Sequence, residues 1–187
     1  MKKKIQYSSP KISDRLIKKV AKHETNSFET LYNLSSSAVF GLAVSIVGNQ
    51  MDAEDVVQDV YVTIYEKAYQ YKGGGKAMAW IFTITRNHAL MKLRDRSKRE
   101  HVNLDDVYDF GVDTKIEDNL HNEKLIKIIL ETLSEEERQI VIMHSMSNMK
   151  HKEISEIMEI PLSTILSKYN RALKKLKKEL VVNGYEK

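Results

Sequence analysis

Between positions 162 and 180 apolar side chains return every three or four residues, at Leu162, Ile165, Tyr169, Ala172, Leu176 and Leu180. At 100° per residue these form one stripe of a helix, and the stripe predicts a buried face. Ser167, Arg171, Lys174 and Lys178 fall at the centre of the opposite face, with Ser163 and Thr164 beside them near the amino end. A shorter helix precedes it, with Ile154 and Ile157 inward. Met158, Glu159 and Ile160 predict a turn before Pro161, whose fixed φ and missing N–H suit a first helical position. Helix, tight turn and basic helix make the pattern of a helix-turn-helix. A solvated lysine face explains a basic helix taken alone. The tight turn, proline start and amino-terminal hydroxyls together favour a DNA reader.

Helical spacing continues along nearly the whole chain, and seven glycines and two prolines leave few places to interrupt it. The fold is predicted to be all-α, two small helical domains joined by an acidic linker. Helices are expected over 26–47, 53–69, 77–96, 122–133 and 135–146, followed by the two just described. Ser134 with Glu137 reads as a capping box at one of those starts. The apolar run 38–48 is too short to span a bilayer and reads as a buried helix, so no membrane insertion is expected. Residues 1–24 read as a basic, partly disordered extension, 25–99 as the first domain, 100–121 as the linker and 122–182 as the helix-turn-helix domain.

In "DAEDVVQDVYVTIYEK", from Asp52, the positions Ala53, Val57, Val60, Ile64 and Ala68 predict one buried stripe, with Asp52 as the cap. Glu54, Asp55, Gln58, Asp59 and Glu66 then face water or a partner. Clustered carboxylates suit acid–base or divalent-metal chemistry, but no histidine joins them, and a solvated face or an acidic docking surface fits better. The next segment, "YQYKGGGKAMAWIFTITRN", sets Tyr69, Tyr71, Lys72, Lys76 and Trp80 around three glycines. Aromatic faces beside amines are what single-stranded bases stack on. Trp80 as plain core is the competing explanation.

Charge sharpens this picture through its placement. The whole chain carries 30 Lys plus Arg against 26 Asp plus Glu, a net charge of only +4. Six basic residues and one acidic lie between Arg86 and Arg99, eight acidic and one basic between Glu100 and Glu123, and six basic and none acidic between Lys168 and Lys178. Two basic surfaces therefore flank an acidic connector, the footprint of a nucleic-acid binder. The absence of cysteine excludes disulfides, thiolate metal sites and a cysteine nucleophile, and fits a reducing cytosol. The amino terminus is basic but no apolar run follows it, so no signal peptide is expected. There is no HExxH and no phosphate-binding glycine loop. The stretch "DDVYDFGVDTKIE" fails as a calcium loop, because Tyr108 and Phe110 stand where oxygen ligands are required. No enzymatic activity, metal or cofactor is expected.

In order and spacing, "DAEDVVQDVY", "AWIFTITRN" and "LSEEERQIVIMHSMSNMKHKEISEIMEIPLSTILSKYNRALKKLKK" resemble bacterial sigma factors of the extracytoplasmic-function group. The resemblance covers roughly residues 28–180 and implies a cytoplasmic subunit that binds core RNA polymerase and directs promoter-specific initiation. It implies that Asp52, Glu54, Asp55, Gln58 and Asp59 dock on the polymerase. Lys76, Trp80, Arg86 and Asn87 would hold the melted non-template strand of the minus-ten element. Ser163, Thr164, Ser167, Lys168, Arg171 and Lys174 would read the minus-thirty-five duplex. Glu159, Leu166, Lys168, His88 and Met91 depart from the residues usual in the family, Glu159 standing where glycine is common. The linker, about 65 Å when extended, is too short for the additional helical region of housekeeping relatives. Family practice also implies an anti-sigma factor, which in some cases holds its partner at the membrane. The alternative is a conventional helix-turn-helix regulator that does not bind core polymerase, in which "DAEDVVQD" and the glycine segment have no role.

Overall fold

The computed structural model describes residues 12–100 and 127–182. The linker beyond position 100 and positions 122–126 of the helix expected at 122–133 lie outside the described residues. Among the described residues the regular structure is helical: α1 (Asp14–Ala21), α2 (Ser27–Val47), α3 (Gln50–Lys67), a 3₁₀ turn (Ala68–Gln70), α4 (Ala77–Glu100), α5 (127–132), α6 (Glu135–Ser147), α7 (His151–Met158) and α8 (Leu162–Val182).

The helix α2 is central because its second half, residues 38–47, is apolar on nearly every side. Leu31, Val39, Leu42 and Ala43 are wholly buried, and α3, α4 and α6 all pack on it. By length and composition α2 could cross a membrane, yet 61% of its apolar window is buried within the protein. Ile64 of α3 and Ile81 and Phe82 of α4 complete this core. Each such side chain contributes about 1.5–3 kcal/mol on burial. The same cluster continues into the carboxy-terminal half through Ile140, Met143, Ile154 and Ile165. Gly41 permits that approach: a Cβ there would sit 2.7 Å from Met146 Sδ.

Residues 14–21 were expected to belong to a partly disordered extension and instead form α1. Ser13 caps it by accepting from Leu16 N at 3.2 Å, and Ile12, Ile17 and Val20 enter the core. Helix α3 also starts earlier than expected. Asn49, rather than Asp52, is its cap, accepting from Asp52 N at 2.9 Å. The capping box of Ser134 and Glu137 forms as read, with Glu137 Oε2 accepting from Ser134 N at 3.1 Å.

The α7–α8 turn is shifted by one residue, to Glu159, Ile160 and Pro161, so Pro161 immediately precedes α8 instead of opening it. Glu159 has φ 58°, ψ 35°, left-handed backbone that a glycine would adopt without strain. Leu162 was expected in the core but is 41% exposed at the first position of α8.

Candidate nucleic-acid interface

Helix α8 divides its cations between two jobs. Its inward stripe holds Ile165 and Ala172 buried, with Tyr169 and Leu176 half-buried. Lys168 Nζ lies 2.6 Å from Glu136 and Lys175 Nζ 2.7 Å from Glu137, both acids in the first turn of α6. These pairs fix α8 across α6. Burial works against the Glu137 charge, but Lys175 and the Ser134 cap outweigh it and hold that carboxyl below the usual range. Ser163, Ser167, Arg171 and Lys174 stand exposed on the outward face, with Thr164 half-buried beside them. Neither Arg171 nor Lys174 is in an ion pair among the described residues. Lys168, expected outward with them, is turned toward Glu136.

Two histidines lie where α6, α7 and α8 meet. His144 of α6 and His151 of α7 stack with ring centroids 4.5 Å apart, and Tyr169 of α8 meets both edge-on at 4.8 and 4.7 Å. His144 Nδ1 pairs with the Met149 carbonyl at 2.9 Å, whereas His151 Nε2 is buried with no hydrogen-bond partner. Burial, with the neighbouring His144, pushes the His151 pKa down.

The acidic face of α3 is real but smaller than expected. Glu54, Asp55, Gln58, Asp59 and Glu66 are exposed. Asp52 is not: it is 8% exposed and faces α4, where Arg96 Nη1 lies 3.1 Å and Lys92 Nζ 3.5 Å away. Burial opposes its charge, but the Asn49 amide, Lys92 and Arg96 prevail and keep its pKa below the usual value. Lys92 also donates to Asp55 at 2.7 Å, and this bond is the main reason its own pKa is raised. Lys92 and Arg96, two of the six cations in the basic run of α4, therefore hold α3 and α4 together.

The residues expected on α4 separate into two groups. Trp80 and Asn87 line an open cleft of about 310 Å³ with Thr63, Gln70, His88 and Met91. Thr63 Oγ1 and His88 Nε2 are 2.8 Å apart across its floor. Lys76 and Arg86 face the carboxy-terminal half instead. Lys76 Nζ reaches Glu156 at 3.0 Å, and Arg86 Nε donates to Gln139 Oε1 at 3.3 Å. Preceding α4, Gly73, Gly74 and Gly75 have φ of 81°, 92° and 71°, a run of left-handed backbone that requires glycine. Tyr71, before them, packs on Trp80 with centroids 5.4 Å apart at 48°. The cleft partners Thr63 and Gln70, and the cross-half partners Gln139 and Glu156, carried no local signal in the sequence.

This geometry, a basic helix-turn-helix beside an aromatic cleft, has counterparts. The family model described as Sigma-70 region 2 matches residues 31–99, and that described as Sigma-70, region 4 matches residues 125–176. The ECF RNA polymerase sigma factor SigK of Mycobacterium tuberculosis is 25% identical over 91% of this chain and 94% of its own. SigK of Mycobacterium sp. (strain KMS) is 24% identical over 88% of each. Among solved structures, the sigma factor RpoE in complex with the anti-sigma factor NepR from Bartonella quintana aligns with a TM-score of 0.71 at 24% identity, covering 84% of this chain and 99% of that one. CnrH in complex with the cytosolic domain of CnrY aligns with a TM-score of 0.63 at 17% identity, covering 91% and 97%.

Proposed function

Because the chain belongs to the sigma-70 family, in its extracytoplasmic-function group, we propose that it is a dissociable subunit that gives core RNA polymerase its promoter choice. Sigma factors are regulatory, non-catalytic proteins of transcription initiation, and the detail below concerns how this chain recognises DNA. The outward face of α8 reads the minus-thirty-five duplex through Ser163, Thr164, Ser167, Arg171 and Lys174, while Lys168 anchors the helix. The cleft of Trp80 and Asn87 receives an unstacked base of the minus-ten strand. Glu54, Asp55, Gln58 and Asp59 dock on the polymerase. The observation that carries this reading is the exposed hydroxyl and basic face of α8 on a chain that also matches region 2.

Promoter elements two duplex turns apart are separated by about 70 Å, whereas Lys76 and Glu156 are 3.0 Å apart. Reading both elements at once therefore requires the halves to part, which also frees Lys76 and Arg86 for the melted strand. The polar contacts to be broken are weak. A half-exposed ion pair is worth at most about 1 kcal/mol, and a single side-chain hydrogen bond about 1 kcal/mol. The protein acts in the bacterial cytoplasm, and its regulator is an anti-sigma protein, of the kind named with the structural neighbour RpoE.

Run-off transcription by purified bacterial core polymerase on a pool of genomic promoters tests this. New discrete starts are expected when the protein is added and are lost when Asp55 and Gln58 are replaced. Duplex binding as a dimer, with neither new starts nor affinity for core polymerase, would instead establish a conventional regulator.

A further inference from the structure

The glycine loop before α4 does not hold itself in place. A Cβ placed on Gly74 or Gly75 would meet nothing within 4 Å, so these two positions stand in open space. Three successive residues at positive φ are also the most flexible backbone available to the chain. The tether comes from the first residue of α1. Asp14 Oδ1 accepts from the Tyr71 hydroxyl at 2.5 Å and its Oδ2 accepts from Gly75 N at 2.9 Å, across 57 and 61 positions of sequence. At Gly73 a Cβ would stand 3.4 Å from the same Oδ2. The loop is thus folded around one carboxylate. That carboxylate is fixed in turn, because Ile17 and Val20 bury the other side of α1 in the core.

Charge makes this placement informative. A carboxylate held on the loop that runs between Lys72 and Lys76, ahead of the proposed strand-binding cleft, repels phosphate, and α1 would be capped by Ser13 without it. Both Asp14 oxygens are instead turned onto the loop. Tyr71, whose hydroxyl Asp14 holds, is the residue packed on Trp80. Burial and the Asp14 hydrogen bond push the Tyr71 pKa up to about 12, so the phenol keeps its donor proton throughout the working pH range. One chain of contacts leads from the amino-terminal helix to the aromatic wall of the cleft.

We infer that Asp14 is a positioning residue for promoter melting: it holds the Gly73–Gly75 loop and the Tyr71–Trp80 pair in the shape that receives an unstacked base. This rests on the strand-binding reading of the Trp80 cleft given above. Pre-ordering removes the entropy that a free glycine loop would lose on binding DNA. The amino-terminal helix then serves melting without touching DNA.

The test uses the full chain with bacterial core polymerase and the promoters recovered from the run-off pool, each as duplex and as a template pre-opened over the minus-ten element. Asp14→Ala and Tyr71→Phe are each expected to lower initiation on duplex about tenfold and on pre-opened templates less than twofold, with affinity for core polymerase unchanged. Asp14→Asn, which keeps one acceptor oxygen, should recover part of the loss. Trp80 is the one tryptophan in the sequence, so its emission and anisotropy in the free protein report the loop directly and should shift in Asp14→Ala and Tyr71→Phe. Trp80→Ala separates the two readings. If it lowers duplex initiation while Asp14→Ala and Tyr71→Phe do not, the positioning role is overturned and the cleft stands. If Trp80→Ala has no effect, the cleft reading fails first and the positioning role with it. Equal losses on duplex and pre-opened templates, together with weaker core binding, would reduce Asp14 to a merely structural residue and overturn the inference.

Discussion

On α8 the cations that build the fold and those that face outward are different residues, whereas around α4 the fold has engaged both cations proposed for the melted strand. Lys168 and Lys175 brace α8 against Glu136 and Glu137, and Arg171 and Lys174 remain exposed on the far side. On α4, Lys92 and Arg96 hold Asp52, while Arg86, and Lys76 just before the helix, reach across to Gln139 and Glu156. The face proposed to read duplex is thus exposed in the closed molecule, and the one proposed to hold a single strand is partly covered by its neighbour. The difference fits the substrates proposed for them. Duplex DNA is always available, but a melted strand appears only after polymerase has been engaged and the promoter opened.

The largest expected effect is in the α3–α4 brace. Asp52→Ala removes the largely buried carboxylate that Arg96 and Lys92 share, leaving Arg96 on the Val47 carbonyl and Lys92 on Asp55, and should cost about 1–2 kcal/mol, read as a lower urea midpoint. No comparable loss is expected from Asp55→Ala, since Asp55 is exposed and its pair with Lys92 is a surface one.

Acid should next separate the halves. The His151 pKa is depressed below its ordinary 6.5, so the folded state binds fewer protons than the unfolded chain once the pH falls toward that value. Its stabilising contribution is complete above 6.5 and is lost as the pH drops through the lower folded value. Protonation would place a charged N–H at the unpartnered Nε2 and a like charge against His144, with the Tyr169 ring of α8 edge-on to both. Asp52 behaves with the same sign at lower pH: its contribution is complete above the ordinary carboxylate value of 3.8 and lost as pH falls through its depressed one. Histidine resonances and unfolding curves followed from pH 7 downward should show the helix-turn-helix half weakening first. His151→Phe should remove that early loss.

A smaller gain is expected from Glu159→Gly. Relief of left-handed backbone should stabilise the turn by up to about 1 kcal/mol, offset in part by the greater freedom of glycine in the unfolded chain; the thermal midpoint would rise. Glu156→Gln should have the smallest effect on stability, within about 0.5 kcal/mol. It should nonetheless loosen the hold on Lys76, raising affinity for a single-stranded oligonucleotide at low salt. An unchanged affinity would show that the α2–α6 contact alone keeps the strand face covered.

Elements whose signals lie within one or two turns of chain were legible. The capping box of Ser134 and Glu137, the apolar stripe of α3 and the outward position of Ser167 and Arg171 each depend on residues three or four apart, the reach of helical periodicity. Helix α1 carried such a signal too, in Ser13 followed by Leu16, Ile17 and Val20, but the basic composition around it obscured the pattern. The family itself was legible, because it rests on the order of several such local patterns. Asp52 shows the limit. An aspartate after Asn49 suits a helix start in either role, and only Arg96 and Lys92, about 40 positions away, decide that it turns inward.

Helical content, the helix-turn-helix and the sorting of charge into two basic surfaces were therefore determined by the residues in order, since each follows from backbone geometry and near-neighbour side chains. Which cations stay available for DNA, how Asp14 orders a glycine loop 60 positions away, and the closure of Lys76 and Arg86 onto Glu156 and Gln139 were decided only in three dimensions. Ion pairs and hydrogen bonds at that range depend on where packing against α2 happens to bring their partners. Periodicity along the chain carries no record of that packing.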